Sequence, residues 1–326
     1  MTLISVLIPT FRRPDSFLRA AQSVFAQRGV ADIELIAVDN SPEGSALGAF
    51  EQLAREAPIP FRWTHAPVTG VAQARNAAFT LARGDLLAWL DDDQEAAPDW
   101  LAALVAVRQA TGAQSVFGPV RARARKGAAN ASFFEQLYSR SGGDGSGTIA
   151  GYHGVGNSLQ PRRMFGAGAP FDTDADRDED EGERLFSSWS EAGAMFAWAA
   201  DAVAIEHLGA ERTRLAYSLK RAFVAGQAPC AAAWGARDYL SLARHMSVGV
   251  AQAATYGFAS LIIWAGSTPH ALALLDRAVQ GAGKALWFWE QRFCSAAALA
   301  AHEDWRSPPL AMAAETGPLT RRLAAA

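Results

Sequence analysis

The chain has 326 residues, 50% of them hydrophobic, and a formal net charge of -3. This length suffices for one large domain or two modest ones, and the near-neutral balance argues against nucleic-acid binding, which usually requires a basic face. Only two cysteines occur, Cys230 and Cys294, without a Cys-x-x-Cys pair, so we expect no zinc site and no disulfide framework. The amino terminus shows no secretory signal, which with the unpaired thiols favours a reducing, cytoplasmic location.

The first part of the chain alternates strand-like and helix-like segments. Short apolar runs predict five strands, at residues 4–8, 34–38, 61–65, 86–90 and 115–120. Apolar residues at helical spacing predict helices capped by Asp15 and running past Val24, and at residues 47–56, 71–82 and 100–109. Such alternation indicates a mostly parallel sheet with helices on both faces, and ligands bind such sheets at the carboxyl ends of the strands.

Three carboxylates, Asp91, Asp92 and Asp93, directly follow the fourth predicted strand. Like charges this close together repel one another unless a cation lies among them. Mg2+ characteristically binds through one or two carboxylates together with substrate phosphates. The residues alone leave two readings open, namely a metal site and a solvated acidic turn.

Two further residues lie where this predicted sheet would bind a ligand. Asp39 ends the second strand, and it either accepts a hydrogen bond from a base or sugar hydroxyl or caps an Asx turn. Arg75 lies one turn into the helix that Gly70 opens, and a helix N-terminus attracts anions. Arg75 therefore either binds phosphate or a loop carboxylate, or it is an exposed surface cation.

The remainder of the chain has a different composition. Residues 139–156 are rich in Gly and Ser and predict a loop, and residues 172–183 form a dense acidic run. Residues 246–275 contain no Asp, Glu, Lys or Arg, and they form either a membrane-embedded or interfacial segment or a buried helical hairpin. The run at 287–289 is either an interfacial anchor or core, and residues 310–326 read as a loosely held tail.

Four segments together resemble family 2 glycosyltransferases, in the order and at the spacing of that family. Each is weak alone, and the resemblance covers roughly residues 1 to 225. The segments are Ile4-Ser5-Val6-Leu7-Ile8-Pro9-Thr10-Phe11-Arg12-Arg13, Leu35-Ile36-Ala37-Val38-Asp39-Asn40-Ser41, Gly70-Val71-Ala72-Gln73-Ala74-Arg75-Asn76, and Gly84-Asp85-Leu86-Leu87-Ala88-Trp89-Leu90-Asp91-Asp92-Asp93 with the following Pro98-Asp99-Trp100.

The resemblance implies a GT-A-type α/β fold and an inverting transfer from a nucleoside-diphosphate sugar, which we expect to be UDP-linked. Asp91 and Asp93 would be the ends of a DxD motif that holds Mn2+ or Mg2+ on the diphosphate, and Asp39 would contact the nucleobase region. The residues implied to bind the nucleotide sugar are Pro9, Thr10, Phe11, Arg12, Asp39, Arg75, Asp91, Asp92, Lys220 and Arg221.

An inverting transfer needs a carboxylate that accepts the proton of the acceptor hydroxyl. The family usually places it in a Glu-Asp pair before a helix that ends in Ala-Gly, as residues 185–193 do here. Counting back puts Glu181 at the family's Glu and Gly182 at its Asp, which departs from the pattern. Asp180 and Glu181 are the predicted bases, with Glu183 next.

Residues 201–207 resemble the family's closing strand, whose histidine can join the metal. His207 is therefore either a metal ligand or a structural imidazole. On the following helix, Lys220 and Arg221 either neutralise the leaving diphosphate or are exposed charges.

The sequence thus predicts a catalytic domain at residues 1–225 and a helical extension at 226–326, which either docks on the catalytic domain or attaches the enzyme to the membrane. The expected partners are a nucleotide-sugar donor and a glycan or lipid-linked acceptor, with the enzyme in the cytoplasm or at the inner face of the membrane, in cell-surface glycan synthesis. Two alternatives remain: a non-catalytic scaffold derived from a transferase, which Gly182 favours, and a nucleotidyltransferase. The latter lacks the expected glycine-rich loop after the first strand.

Overall fold

The computed structural model describes residues 2–30, 32–143, 145–166, 168–173, 181–264 and 266–289, apart from the side chains of Glu181 and Glu183. Asp180, Cys294 and the predicted tail at 310–326 lie outside the described residues. The strands are β1 (Ile4–Thr10), β2 (Ile33–Asp39), β3 (Phe61–His65), β4 (Leu86–Trp89), β5 (Gln94–Ala96), β6 (Ser115–Phe117), β7 (Val120–Arg123), β8 (Gly147–Ile149), β9 (Ser158–Pro161), β10 (Phe196–Trp198) and β11 (Ala204–His207). The helices are α1 (Pro14–Phe25), α2 (Leu47–Glu56), α3 (Val71–Leu81), α4 (Trp100–Thr111), α5 (Ala131–Tyr138), α6 (Glu181–Glu191), α7 (Leu215–Gly235), α8 (Tyr239–Ile263) and α9 (Thr268–Ala285), with 3-10 turns at Arg162–Phe165 and Trp287–Trp289.

Eight strands form one mixed, mostly parallel sheet in the order β3-β2-β1-β4-β9-β6-β10-β8. β1 pairs in parallel with β2 on one side and with β4 on the other, and β2 pairs in parallel with β3. β9 runs antiparallel to both β4 and β6, and β8 runs antiparallel to β10. This is the GT-A-type α/β arrangement that the sequence predicts, and the helical C-terminal region is confirmed as well.

The centre of the sheet is buried on both faces because its strands are apolar on both. Alternate residues of β1 divide between two clusters, with Val6 and Ile8 packing on one face of the sheet and Leu7 on the other. On the first face, α1 presents Phe17 edge-on to Phe50 of α2, with ring centroids 4.8 Å apart. Continuous apolar strands covered on both faces are typical of parallel sheets.

Helix α1 begins at Pro14 with Arg13 as its N-cap, so the predicted cap at Asp15 is wrong by two residues. Proline is favoured at the first helical position because its φ is already helical and its missing N–H would have no partner there. Asp15 instead lies in the first turn, where an acidic side chain favours the positive end of the helix dipole.

The predicted strand at 115–120 is two strands, β6 and β7, separated at Gly118. A Cβ at Gly118 would lie 2.2 Å from the carbonyl oxygen of Ala202, so the chain turns there with no room for a side chain. The predicted loop at 139–156 contains β8 as well. Strands of three or four residues carry too little periodicity to be recognised in a sequence.

The described residues fall into two compact units. The first comprises residues up to Pro119 together with Ser141–Ala204, and the second comprises Val120–Arg140 and the described chain from Ile205 onward. The second unit contains β7, β11, α5 and the three long helices α7, α8 and α9. The predicted domain boundary after residue 225 falls inside α7, and it stays a prediction about the extent of the catalytic domain.

The uncharged segment at 246–275 forms most of a helical hairpin, with α8 as its first arm and the beginning of α9 as its second. The two helices of the hairpin alternative are therefore present, but they are not buried to the same extent. α9 buries Ala271, Leu272 and Ala278, whereas only Leu242, Gly249 and Ser260 of α8 are buried. One face of α8 remains exposed.

Candidate functional site

The carboxyl ends of β1, β2 and β4 meet at one edge of the large sheet. Thr10 at the end of β1 is in register with Asp39 at the end of β2, and Asp91 follows two residues after β4. The chain runs from β1 outward to β2 and β3 and then returns to β4 on the other side of β1, so β1 and β4 flank a topological switch point. Ligands of open α/β sheets bind in the crevice outside such a point, which is where the three aspartates lie.

Asp92, the middle carboxylate, is 2% exposed and ties the two strand ends together. It accepts a hydrogen bond from the Thr10 hydroxyl at 2.7 Å and a longer one from the backbone N–H of Phe11 at 3.4 Å. The pKa of Asp92 is raised to about 6, chiefly by burial and also by the neighbouring Asp93, while Arg13 and the Thr10 hydrogen bond offset part of that rise. Asp92 thus holds the end of β1 against the segment that follows β4.

Arg13 supplies the positive charge that this cluster needs in the absence of a ligand. Its Nη1 atom lies 3.3 Å from Oδ1 of Asp92 and 3.2 Å from Oδ2 of Asp93. One guanidinium therefore bridges two of the three carboxylates and holds the β1–α1 loop against the segment after β4. We had not expected a role for Arg13 from the sequence.

Asp91 is the second carboxylate at the crevice, and its side chain is closely packed. Gln94 donates a hydrogen bond from Nε2 to Oδ2 of Asp91 at 3.1 Å. A Cβ on Gly156 would lie 2.0 Å from the same oxygen and 2.8 Å from the other. Gly156 is thus the position at which any side chain would displace the Asp91 carboxylate.

The donor set fits a hard divalent cation that is shared with a ligand. Asp91 and Asp93 are partly exposed, whereas Asp92 is buried and engaged. No group of three or more His, Cys, Asp or Glu within the described ranges is arranged to hold a metal by itself. Two carboxylates completed by phosphate oxygens and water are the set that Mg2+ uses in nucleotide sites.

Asp39 is fully buried, and both of its oxygens hold the loop that follows β2. Oδ1 accepts hydrogen bonds from the N–H and the hydroxyl of Ser41, and Oδ2 accepts one from the N–H of Ala46 at 2.5 Å. This is the Asx-turn arrangement, the second of the two readings of the sequence. A carboxylate offers about four lone-pair sites, and three are used by these hydrogen bonds. The contact between Asp39 and a nucleobase therefore stays a prediction.

The loop after β1 carries the other predicted nucleotide contacts. Pro9 and Thr10 are buried within β1, and Phe11 is buried just beyond it. Arg12 has a φ of 55°, in the left-handed region that side chains other than those of Gly, Asn and Asp seldom adopt. Its guanidinium pairs with Glu43 at 2.6 Å, which lowers the pKa of Glu43, and it lies 5.0 Å from the Phe11 ring centroid.

Asn40 builds the approach to the N-terminus of α3. Its side-chain nitrogen donates to the carbonyls of Ala66 and Val68, both at 2.7 Å, and its oxygen accepts from the N–H of Gly70 at 2.8 Å. Both of its side-chain donors and its side-chain oxygen are thus engaged at the turn that opens α3. Gly70 has a φ of 152°, which explains why glycine occupies this position.

Asn76 connects α3 to the segment that leads into the acidic run. Its side-chain nitrogen donates to the carbonyl of Phe171 at 2.8 Å, and its oxygen accepts from the N–H of Phe171 at 2.9 Å. The guanidinium of Arg75 lies 5.7 Å from the centroid of the Phe171 ring. The Arg75-Asn76 pair therefore holds the chain at the start of the acidic run against α3.

Gly182, the position that departs from the family pattern, is buried beside Val155 and Arg75. A Cβ there would lie 2.7 Å from Cγ2 of Val155 and 3.8 Å from Nη1 of Arg75. Val155 occupies the space that a side chain at 182 would need. The first turn of α6 nevertheless lies next to a cationic side chain of α3.

Two of the three predicted bases, Glu181 and Glu183, belong to the first turn of α6. Asp180 lies outside the described residues, and of Glu181 and Glu183 only the backbone, in the first turn of α6, is described. The turn is adjacent to Arg75 through Gly182. The choice among the three carboxylates therefore stays a prediction.

The remaining predicted residues belong to the second unit. His207 ends β11, and Lys220 and Arg221 lie on α7, where Arg221 is 5.0 Å from the centroid of the Tyr138 ring. Arg212 lies 4.5 Å from the same centroid and pairs with Glu206. The roles predicted for His207, Lys220 and Arg221 stay predictions.

Comparisons with known proteins agree with this fold. The sequence profile of glycosyl transferase family 2 matches residues 5–153. The succinoglycan biosynthesis protein ExoM of Rhizobium meliloti (strain 1021) is 30% identical over 231 residues, which is 69% of this chain and 73% of that protein. The uncharacterized glycosyltransferase YfnE of Bacillus subtilis (strain 168) is 32% identical over 98 residues, 30% of this chain and 25% of that protein.

Among solved structures, residues 1–349 of S. aureus TarS in complex with UDP-GlcNAc share 16% sequence identity with this chain at a TM-score of 0.46. The match covers 65% of this chain and 60% of that one. Against the longer TarS structure it covers 38% of that chain.

Proposed function

The chain belongs to glycosyl transferase family 2, and we propose that it moves a sugar from a nucleoside-diphosphate sugar, UDP-linked, to an acceptor hydroxyl with inversion at the anomeric carbon. The observation that carries this proposal is the position of Asp91 and Asp93 at the β1/β4 switch point, on a base formed by Asp92, Thr10 and Arg13. A crevice of this kind is where an α/β sheet binds nucleotide phosphates.

Asp91 and Asp93 would hold Mn2+ or Mg2+ together with the donor diphosphate. When bound, the ion supplies Lewis-acid stabilisation of the charge that develops on the departing diphosphate. The chain itself contributes the rigid placement of both carboxylates, through Gln94 and Gly156 at Asp91 and through Arg13 at Asp93. Such positioning matters because charge stabilisation requires groups already aimed at the transition state.

Arg13 has a second consequence for this site. With Asp92 and Asp93 both paired to its guanidinium, at 3.3 and 3.2 Å, Arg13 offsets part of the repulsion among the strand-end carboxylates. Asp91 in turn accepts a hydrogen bond from Gln94.

The transfer itself needs one proton acceptor. The acceptor oxygen loses its proton to a carboxylate, attacks the anomeric carbon, and displaces the nucleoside diphosphate, which leaves with the bonding electron pair. We assign the proton to Asp180 or Glu181, with Glu183 as the next candidate. The contact of the Gly182 position with Arg75 supports placing this acidic turn beside α3.

The acceptor is a glycan or a lipid-linked glycan, and the reaction takes place in the cytoplasm at the inner face of the membrane. Support comes from ExoM, which is named for succinoglycan biosynthesis, a polysaccharide pathway. The residue at 182 supports one alternative, a donor-binding protein without transferase activity, because Val155 fills the space of the family's usual aspartate.

A donor-hydrolysis and transfer assay separates these readings. We expect Asp180→Asn combined with Glu181→Gln to retain UDP binding and to lose transfer, because the change removes the base and leaves the donor site intact. Glu191→Gln, an exposed carboxylate at the end of the same helix, is the matched control and keeps wild-type turnover. Turnover that survives the double change would move the base to Glu183, and no turnover in the wild type with any nucleotide sugar would favour the non-catalytic alternative.

A further inference from the structure

The outer face of α8 has the composition of a protein interior. Its exposed residues include Leu240, Phe258 and Leu261, whose exposed fractions are 83%, 69% and 77%. Further large apolar residues along α8 and just after its end are exposed as well: Val248, Val250, Ile262, Ile263 and Trp264. Soluble monomers rarely expose an apolar patch of this length, and such patches mark interaction sites.

The inner face of α8 is built from small residues. A Cβ on Gly249 would lie 2.7 Å from the carbonyl oxygen of Gly281 in α9, so the two helices pack backbone against backbone. Ser260 is buried and donates a hydrogen bond to the carbonyl of Ala271 at 2.8 Å. Helices whose outer surface faces lipid typically have small residues at the helix–helix interface and large apolar residues on the outer face.

The charges of α9 indicate how α8 would meet a bilayer. Within the part of the chain that the structure describes, α8 is the one helix long and apolar enough to cross a membrane, judged by length and composition only. Its packing partner α9, however, carries the buried Asp276 and Lys284, which donates a hydrogen bond to Gln252 of α8 at 2.9 Å. Carrying these groups through a bilayer centre is costly, so a helix lying along the surface with one face in the lipid is favoured.

Aromatic residues cluster where the N-terminal end of α8 meets the end of α9. The ring centroids of Trp234 and Tyr239 are 5.8 Å apart, and those of Trp234 and Trp287 are 5.5 Å apart. Phe288 and Trp289 beside them are exposed, and Trp264 is exposed at the other end of α8. Tryptophan and tyrosine favour the membrane–water interface, where an apolar ring and a polar N–H or O–H are both accommodated.

The charge of the second unit is complementary to an anionic surface. Its described residues contain thirteen lysines and arginines against five aspartates and glutamates, although the whole chain carries a net charge of -3. α8 itself contains Arg244 and no acidic residue, and Arg237 precedes it. Basic residues near an amphipathic helix are attracted to the anionic lipids of the cytoplasmic leaflet.

We propose that the exposed face of α8 docks in the plane of an anionic lipid bilayer, with Phe258 and Leu261 in the boundary between headgroups and acyl chains and Arg237 and Arg244 at the phosphates. This inference deepens the membrane-side location proposed above, and it does not depend on glycosyl transfer. The occupant is lipid and not a second copy of the chain, because two copies would bring like-charged basic units together.

Vesicle flotation of the full chain tests the proposal. We expect the wild type to float with mixed phosphatidylcholine–phosphatidylglycerol vesicles, and Phe258→Glu combined with Leu261→Glu to lower partitioning about tenfold or more, since two exposed side chains lose their transfer into the boundary. Met195→Glu changes an apolar residue of the first unit that is 45% exposed, and as the control it binds like the wild type.

The electrostatic part is tested separately. Arg237→Asn combined with Arg244→Gln should weaken binding to the mixed vesicles about tenfold and leave the weak binding to pure phosphatidylcholine unchanged. Asparagine is chosen at 237 because that residue has a φ of 57°, which asparagine tolerates. Binding of sulfate to the protein, measured without vesicles, tests for simple anion binding. Simple anion binding would be unchanged in Phe258→Glu.

Three outcomes would overturn the proposal. A wild type that does not float with either vesicle overturns it, whatever covers the face instead. A dimer in buffer that the double glutamate variant dissociates assigns the face to a second copy. Flotation that both glutamate changes leave unaltered places the lipid contact elsewhere. Failure of sugar transfer with intact flotation would contradict the proposed function alone.

Discussion

The two units of this protein are built on opposite packing patterns. In the first, large apolar side chains such as Phe17 and Trp89 are buried, and the polar residues gather at the strand ends. In the second, α8 and α9 meet through glycine and serine while Phe258 and Leu261 are exposed. This contrast is what we expect if, as proposed, the first unit binds a polar ligand and the second docks on lipid.

The largest effect should come from the strand-end carboxylates. We expect Asp91→Asn to lower sugar transfer by roughly 100- to 1000-fold, the usual loss when one group that stabilises transition-state charge is removed. Initial rates with saturating Mn2+ measure it, and the melting temperature should stay near the wild-type value because Asp91 is only partly buried. Wild-type rates in this variant would show that Asp91 is not part of the donor site, and would contradict a polar ligand site in the first unit.

Gly156→Ala tests the packing behind that carboxylate. The added Cβ would lie 2.0 Å from Oδ2 of Asp91, so we expect the carboxylate to be displaced, transfer to fall and the fold to lose about 1–3 kcal/mol through overpacking. Gly151→Ala, where a Cβ would meet nothing within 4 Å, serves as the control and should be silent in both rate and chemical denaturation. Equal behaviour of the two variants would show that Asp91 is not held as the structure indicates.

The same experiment in the second unit should affect stability and leave catalysis alone. A Cβ on Gly226 of α7 would lie 2.1 Å from the carbonyl oxygen of Gln280 in α9, so Gly226→Ala should cost about 1–3 kcal/mol. Gly235→Ala, in open space near the end of the same helix, should be neutral or gain roughly 0.5–1 kcal/mol from helix propensity. Hydrogen exchange in α7 and α9 measures both, and equal protection in the two variants would contradict the close helix packing.

The smallest effect concerns the pH dependence of the second unit. Burial raises the pKa of Asp276, and Arg221 and Arg277 offset part of that shift. Because the folded pKa is above that of the unfolded chain, the contribution of Asp276 to stability is full at low pH and is lost as the pH rises through the folded pKa. Asp276→Asn should flatten this decline in unfolding experiments across the acidic range, and an unchanged slope would show that Asp276 titrates normally.

The sequence predicted the sheet and its strand-end carboxylates because both signals are local. Runs such as 34–38 are recognised from adjacent residues, and so is an acidic triplet that follows one of them. The partners of those carboxylates are not local: Arg13 is about 80 residues from Asp92 and Asp93, and Gly156 is about 65 residues from Asp91. Arg13 was present in the recognised motif, but only the fold shows which charge it meets.

The second unit shows the same division between local and non-local information. The uncharged segment predicted either a membrane-embedded or interfacial segment or a buried helical hairpin, and the sequence left the choice open. That choice depends on which side of α8 meets α9, which is set by small residues on both helices, Gly249 in α8 and Gly281 in α9. The bases at 180–183 remain undecided for a further reason, since Gly182 breaks the local pattern that would have identified them.

Calorimetric titration of UDP into the full chain, with Mn2+ and then with EDTA, tests the central claim most directly. Binding that requires the metal and is lost in Asp93→Ala is the predicted result, because the strand-end carboxylates hold the diphosphate through the ion. Binding of equal affinity in EDTA, or unchanged affinity in Asp93→Ala with Mn2+, would contradict the assignment of this crevice as the donor site.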